Sequence, residues 1–147
     1  MRIVIQRVKC SKLEVNNKII SQIGKGFNVF VGVMKGDTIE NMKKTARRIA
    51  TLRLFEDENQ KLSNNISQAN GEILLVSNFT LCDRRGVSGA RPDFSLSADK
   101  ELANSLYMAL QNELQNKYGL SVKMGIFGED MQIYSQLDGP INLVQEF

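Results

Sequence analysis

"GFNVFVGVMKGDTIENMKKTARRIATLRLF", residues 26–55, changes its period part-way along. Its first eight residues are nearly all apolar, as a central strand covered on both faces requires. Beyond Gly36, residues Ile39, Met42, Ala46, Ile49 and Arg53 recur at helical spacing and share one face. Asp37 and Glu40 are spaced as a capping box, so the helix is expected to start there. Lys43, Lys44, Arg47 and Arg48 fall on or beside its solvated side. A basic run of this kind is either a wet helix face or a contact for phosphates.

Working outward, "RIVIQRV" alternates like a strand, and "SKLEVNNKIISQI" reads as a hairpin with Asn16-Asn17 at its turn. Asparagine tolerates the positive φ that a two-residue hairpin turn needs. Downstream, "FEDENQKL" is a polar turn and "GEILLVSNFTL" a strong apolar strand interrupted at Ser77-Asn78. "CDRRGVSGARPDF" is a loop rich in glycine and arginine. A second helix is expected at about 98–118, where Leu102, Leu106, Leu110 and Leu114 form a stripe. Asp99 and Glu101 suit its N-terminal dipole, and Gly119 its C-terminal stop. "LSVKMGIF", "MQIYSQL" and "INLVQEF" read as short strands, with Gly139-Pro140 as a rigid corner between the last two. The expected fold is α+β: two helices covering a largely antiparallel sheet or partly closed barrel, in one domain over residues 1–147. Sheet edges in so small a fold invite pairing with a second copy.

The totals narrow the chemistry. The chain has 147 residues, 42% hydrophobic and 24% charged, with a formal net charge of +3, ordinary values for a soluble domain. That mild basicity permits nucleic-acid binding without demanding it. No apolar run approaches the ~20 residues that span a bilayer. The start lacks the apolar core and cleavage site of a signal peptide, so a cytoplasmic, membrane-free protein is expected. Histidine is absent. That removes Ser-His-Asp and Cys-His nucleophilic catalysis, histidine acid–base chemistry and most zinc sites. Cys10 and Cys82 are far apart and not in a metal-binding spacing, so both read as free thiols. An enzyme of this composition works with hydroxyls, amides, carboxylates, backbone groups or its own substrate.

Four segments could carry such chemistry. Ser77, Asn78 and Thr80 place donors at a strand end, where an ester oxyanion could be held; alternatively they satisfy one another at a bulge. Arg84, Arg85 and Arg91 make the loop before Phe94 either a phosphate contact or a solvated surface. In "GIFGEDM", Phe127 and Met131 could floor a pocket or simply fill the core. Gly139-Pro140 is a hairpin corner on frequency alone, yet X-Pro bonds are the ones that reach cis in about 5% of cases.

Together these segments resemble one family, the D-aminoacyl-tRNA deacylases. "MRIVIQRV", "GDT", "LRLFEDENQKL", "GEILLVSNFTL", "RPDF", "GIFGEDMQI" and "DGPINL" follow the family's order and spacing over the whole chain. The resemblance implies a homodimer that hydrolyses the ester between a D-amino acid, or glycine, and the 3′-terminal adenosine of tRNA. It implies no cofactor and no metal, and no DNA partner is expected. The first signature, opened by Ser-Gln in the family, falls on Ser77, Asn78, Phe79 and Thr80 as the catalytic segment. The second, Asn-x-Gly-Pro-x-Thr, falls on Leu137 through Asn142. It implies that Gly139 and Pro140, joined by a cis bond, enter the partner's pocket and exclude L side chains, a repulsive form of specificity. Phe94, Phe127 and Met131 are implied to line that pocket, and Arg7, Leu137 and Asn142 to support the gate. The family is described as using the ribose 2′-hydroxyl in place of a side-chain base, with backbone N–H groups holding the oxyanion. Thr80 as nucleophile ranks lower, since no base activates it. Asn78, Leu137 and Asn142 depart from the family's Gln, Asn and Thr. They leave two alternatives: a fold retained for RNA binding with reduced activity, or a trans Gly-Pro enzyme editing an L-amino acid.

Overall fold

The computed structural model describes residues 1–84 and 90–147. Two helices and one twisted six-stranded sheet make up most of it. Strand β1 (Arg2–Val15) is the spine. Along one edge it pairs antiparallel with β2 (Lys18–Ile23) and then with β3 (Gly26–Gly32). Asn16 and Asn17 adopt φ of 50° and 60°, the two positive values that the hairpin turn was expected to use.

Helix α1 (Ile39–Thr51) follows β3 and returns the chain, so β6 (Glu72–Ser77) pairs with β3 in parallel. Helix α2 (Lys100–Asn116) repeats the device, and β7 (Ser121–Met124) joins β6 in parallel. The sheet is antiparallel along all of β1, as expected, and mixed overall, because each helix is a crossover that sets its next strand parallel. β2 curls towards β7, where the Ser21 hydroxyl donates to the Met124 carbonyl (2.5 Å), nearly closing a barrel. In "FEDENQKL", β4 (Phe55–Glu56) and β5 (Leu62–Asn64) pair around the polar turn as a two-stranded sheet.

The apolar run of β6 has two destinations. Ile73 and Leu75 join the core beneath the helices with Phe27, Ile49, Leu106 and Leu110. Leu74 and Val76 face a second core with Val8, Leu13 and Ile23. Double coverage is why this strand shows no alternation.

The first helix is capped by Thr38, whose hydroxyl oxygen accepts from the Asn41 N–H while the Asn41 side chain accepts from the Thr38 N–H. Asp37 and Glu40 do not form the expected box. Asp37 is instead buried, accepting from the Met1 amine (2.6 Å) and the Met34 N–H (2.6 Å). Ile39 is half exposed and Arg53 lies past the helix, so Met42, Thr45, Ala46, Ile49 and Ala50 form the buried face.

The largest departure is at the end. "MQIYSQL" and "INLVQEF" are not two strands about a corner but one, β8 (Gln132–Glu146), antiparallel to β1 over its length. Val8 pairs with Leu137 and Gln6 with Asn142, so residues 138–141 bulge out opposite Arg7 alone. The long spine strand continues past the bulge on both sides, and that holds β8 together. Within the described residues, β8 pairs only with β1.

Candidate active site

The site forms where β6 ends. Asn78 donates its backbone N–H to the Val31 carbonyl (2.8 Å), and the chain then turns into a 3-10 helix, Phe79–Cys82. Gly32 permits this: a Cβ there would lie 2.9 Å from the Leu81 Cβ and 3.0 Å from the Cys82 sulfur. The 3-10 turn thus rests directly on β3. Asn78 caps it, its Oδ1 accepting from the Thr80 N–H (3.1 Å) and from the Thr80 hydroxyl. The Thr80 hydroxyl proton is committed to an amide oxygen, which is no base. The Phe79 N–H has no partner among the described residues.

Beside this turn lies a cavity of about 640 Å³. Ser77, Asn78 and Phe79 form one wall, and Phe127 and Met131 another. Phe94 packs edge-on against Phe79 with ring centroids 5.1 Å apart. Five of the residues singled out from the sequence therefore line one space, with Phe94 packed on Phe79 and Thr80 bonded to Asn78. The cavity also uses residues that the sequence did not single out: Phe30, Tyr107, Lys100 and Glu129. Tyr107 stands one place beyond Leu106, off the leucine stripe, and only that offset hinted at it. Burial pushes its phenol well above its ordinary value, and it donates to the Leu75 carbonyl (2.7 Å). It is a neutral wall, not an acid or base near neutrality. Burial also raises the Cys82 thiol, whose sulfur donates to the Val33 carbonyl (3.3 Å), so it is not poised as a nucleophile.

The second signature lies elsewhere. Gly139 and Pro140 are at the β8 bulge and do not line the cavity of their own chain. The bond between them is cis. Gly139 has φ of +118°, in the region that favours glycine. Arg7 reaches the bulge from below. Its Nη1 donates to the Leu54 carbonyl (2.7 Å), and its Nε contacts the Asp138 carbonyl (3.3 Å) and carboxylate (3.0 Å). Leu137 and Asn142 of β8 flank the bulge, paired with Val8 and Gln6 of β1. Arg84 and Arg91 are exposed, with the Arg84 N–H on the Asp93 carbonyl (2.8 Å). Arg85 lies outside the described residues.

Comparison with known proteins bears on the family and the fold. The family model described as D-Tyr-tRNA(Tyr) deacylase matches residues 4–146. The chain is 47% identical over 147 residues to a D-aminoacyl-tRNA deacylase of Staphylococcus epidermidis, covering 99% of this chain and 95% of that one. It is 41% identical over 144 residues to the enzyme of that name from Aquifex aeolicus, covering 98% and 96%. A solved structure titled c-Myc DNA Unwinding Element Binding Protein superposes with a TM-score of 0.93 at 37% identity, covering 100% and 99%. A probable eukaryotic D-amino acid tRNA deacylase superposes at 0.84 with 17% identity over 98% and 97%, and shows the fold alone.

Proposed function

The chain belongs to the D-Tyr-tRNA(Tyr) deacylase family, and from that premise we propose that it is a D-aminoacyl-tRNA deacylase. It hydrolyses the ester between a D-amino acid, or glycine, and the 3′-terminal adenosine of tRNA, and spares L-aminoacyl esters. It does so as a homodimer of one-domain subunits spanning residues 1–147. The observation that carries the reading is the meeting of Ser77, Asn78, Phe79, Phe127 and Met131 around one cavity beside the Phe79 N–H, which has no partner among the described residues.

Water attacks the ester carbonyl carbon, and the carbonyl oxygen gains the negative charge. The Phe79 N–H donates to that oxyanion, a dipole fixed in place before the reaction begins. The intermediate then collapses, expelling the ribose 3′-oxygen, which takes up the proton that the attacking water gives up. With no histidine in the chain and Tyr107 held neutral, the substrate's own 2′-hydroxyl assists the attack. The Asn78 amide holds the 3-10 turn in register and Ser77 lines its entry. Phe79, Phe94, Phe127 and Met131 hold the aminoacyl-adenosine end by apolar contact.

Selectivity comes from Gly139 and Pro140 of a second copy, which meet the α-amino group and leave no room for an L side chain. Two features support this. The bulge lies outside its own chain's cavity, and β8 leaves one edge unpaired among the described residues, with Tyr134, Leu137 and Val144 exposed along it. Arg7 steadies the bulge. The exposed Arg84 and Arg91 are proposed to touch the tRNA backbone, with Arg85 assigned the same role from sequence. The test incubates purified protein with D-Tyr-tRNA and Gly-tRNA beside sedimentation analysis. Faster ester loss than without protein, from a dimer, is expected; background-rate loss refutes the reading.

A second reading, a nucleic-acid-binding module, draws on the printed name of the neighbour at TM-score 0.93 and on the exposed basic face of α1. Tight salt-dependent RNA binding without turnover would favour it.

A further inference from the structure

We propose that Lys100 is a positioning residue that grips the phosphodiester next to the terminal adenosine of the substrate; this rests on the deacylase reading above. A second, more open cavity of about 510 Å³ adjoins the first and shares Lys100 and Phe127 with it. Its remaining lining is Glu101, Asn104 and Ser105. Lys100 is the one cation lining either space, among the described residues. Its Nζ stands 3.7 Å from the point where a Cβ on Gly128 would sit, over the loop that carries Phe127. Gly128 has φ of +82°, so the backbone there suits a residue with no side chain and the lysine lies over it unobstructed.

Fold stability does not explain a lysine at this position. It occupies the first residue of α2, where a cation opposes the helix dipole, and Asp99 already caps the helix by accepting from the Leu102 N–H (2.9 Å). Glu101 and Glu129 are near, yet neither forms an ion pair with it among the described residues. The tRNA strand attached to an ester held against Phe79 must pass out of the first cavity, and that strand is a polyanion. Among the described residues, the exit that passes Lys100 offers that polyanion its only lining cation on the way to the second cavity. A phosphate contact there would order the nucleotide without touching the reacting carbonyl.

The test compares two substrates of the purified dimer, D-Tyr-tRNA and D-tyrosyl-adenosine, which keeps the ester and lacks the phosphodiester. For Lys100→Ala the expected loss in kcat/KM is about three- to tenfold greater on the tRNA than on the nucleoside, appearing in KM rather than kcat. The dependence of log kcat/KM on log salt for the tRNA should flatten by about 0.7, as loss of one single-strand phosphate contact requires. Lys100→Arg should restore both. Equal losses on the two substrates, or none on either, overturn the assignment of Lys100 while leaving the deacylase reading intact. A wild-type protein that hydrolyses neither ester overturns both.

Discussion

Replacing Arg7 by methionine keeps the aliphatic stem and removes the charge that joins the β8 bulge to the rest of the fold. The guanidinium is almost wholly buried, with 7% of the side chain exposed, whereas 30% of the Asp138 side chain is exposed. Three acceptors lose their donor: the Leu54 carbonyl, the Asp138 carbonyl and the Asp138 carboxylate. Stripping one partner from a fully buried pair costs about 3–5 kcal/mol. Water can reach Asp138, so part of that is recovered, and about 2–3 kcal/mol is expected for Arg7→Met. Asp138→Ala leaves Arg7 its two carbonyl partners, and should cost about 1–2 kcal/mol. The double variant should fall short of additivity by about 1 kcal/mol, the coupling of groups in direct contact. Urea unfolding reads these values; with slopes of about 1–3 kcal/mol/M, Arg7→Met should lower the midpoint by about 0.7–3 M. Protomer concentration must be held fixed, because association adds its own stabilisation. Single effects below about 0.5 kcal/mol that simply add would refute the view that Arg7 anchors the bulge.

Three further outcomes are expected. Asn78→Ala removes the acceptor that caps the 3-10 turn, so stability should fall by about 1 kcal/mol and kcat by more than that loss of folded protein explains; guanidine unfolding and single-turnover deacylation check both. Glu129→Gln should retain deacylation within about tenfold, since the attack is assigned to the ribose 2′-hydroxyl; a loss above about 100-fold would move the base role to Glu129. Tyr107 is pushed up by burial, so the folded state holds its proton after the unfolded state has released it. Its stabilising contribution is therefore complete below about pH 10 and lost as pH rises beyond that. Absorbance at alkaline pH should show one tyrosine, removed by Tyr107→Phe, titrating only as the fold opens.

How much of this was legible in the chain depends on distance. Local signals held: the Asn16-Asn17 turn, the change of period at Gly36, the leucine stripe of α2 and the acidic start of α2 at Asp99 and Glu101 each depend on residues within a few places. Signals that depend on remote partners did not. Asp37 has the chemistry of a helix cap, but the Met1 amine claims it, and Thr38 takes the cap. A run such as "EILLVS" announces a strand without giving its direction, which the helical crossovers set as parallel. The two closing segments look separate because Asp138 to Ile141 interrupt their alternation. Their continuity comes from the 14-residue β1 beside them. At the site, hydroxyl and amide residues inside an apolar strand were conspicuous and did converge. Lys100 was hidden at the start of a helix, where a charged residue attracts no notice.

The central claim is chiral hydrolysis, and matched enantiomers test it most directly. Initial rates should be measured for D-Tyr-tRNA and L-Tyr-tRNA prepared on the same tRNA, at one enzyme concentration and one salt concentration. The D ester should be lost at least about 100-fold faster than the L ester, the discrimination expected when a rigid gate clashes with one enantiomer. Loss of both esters at the same rate would contradict the account.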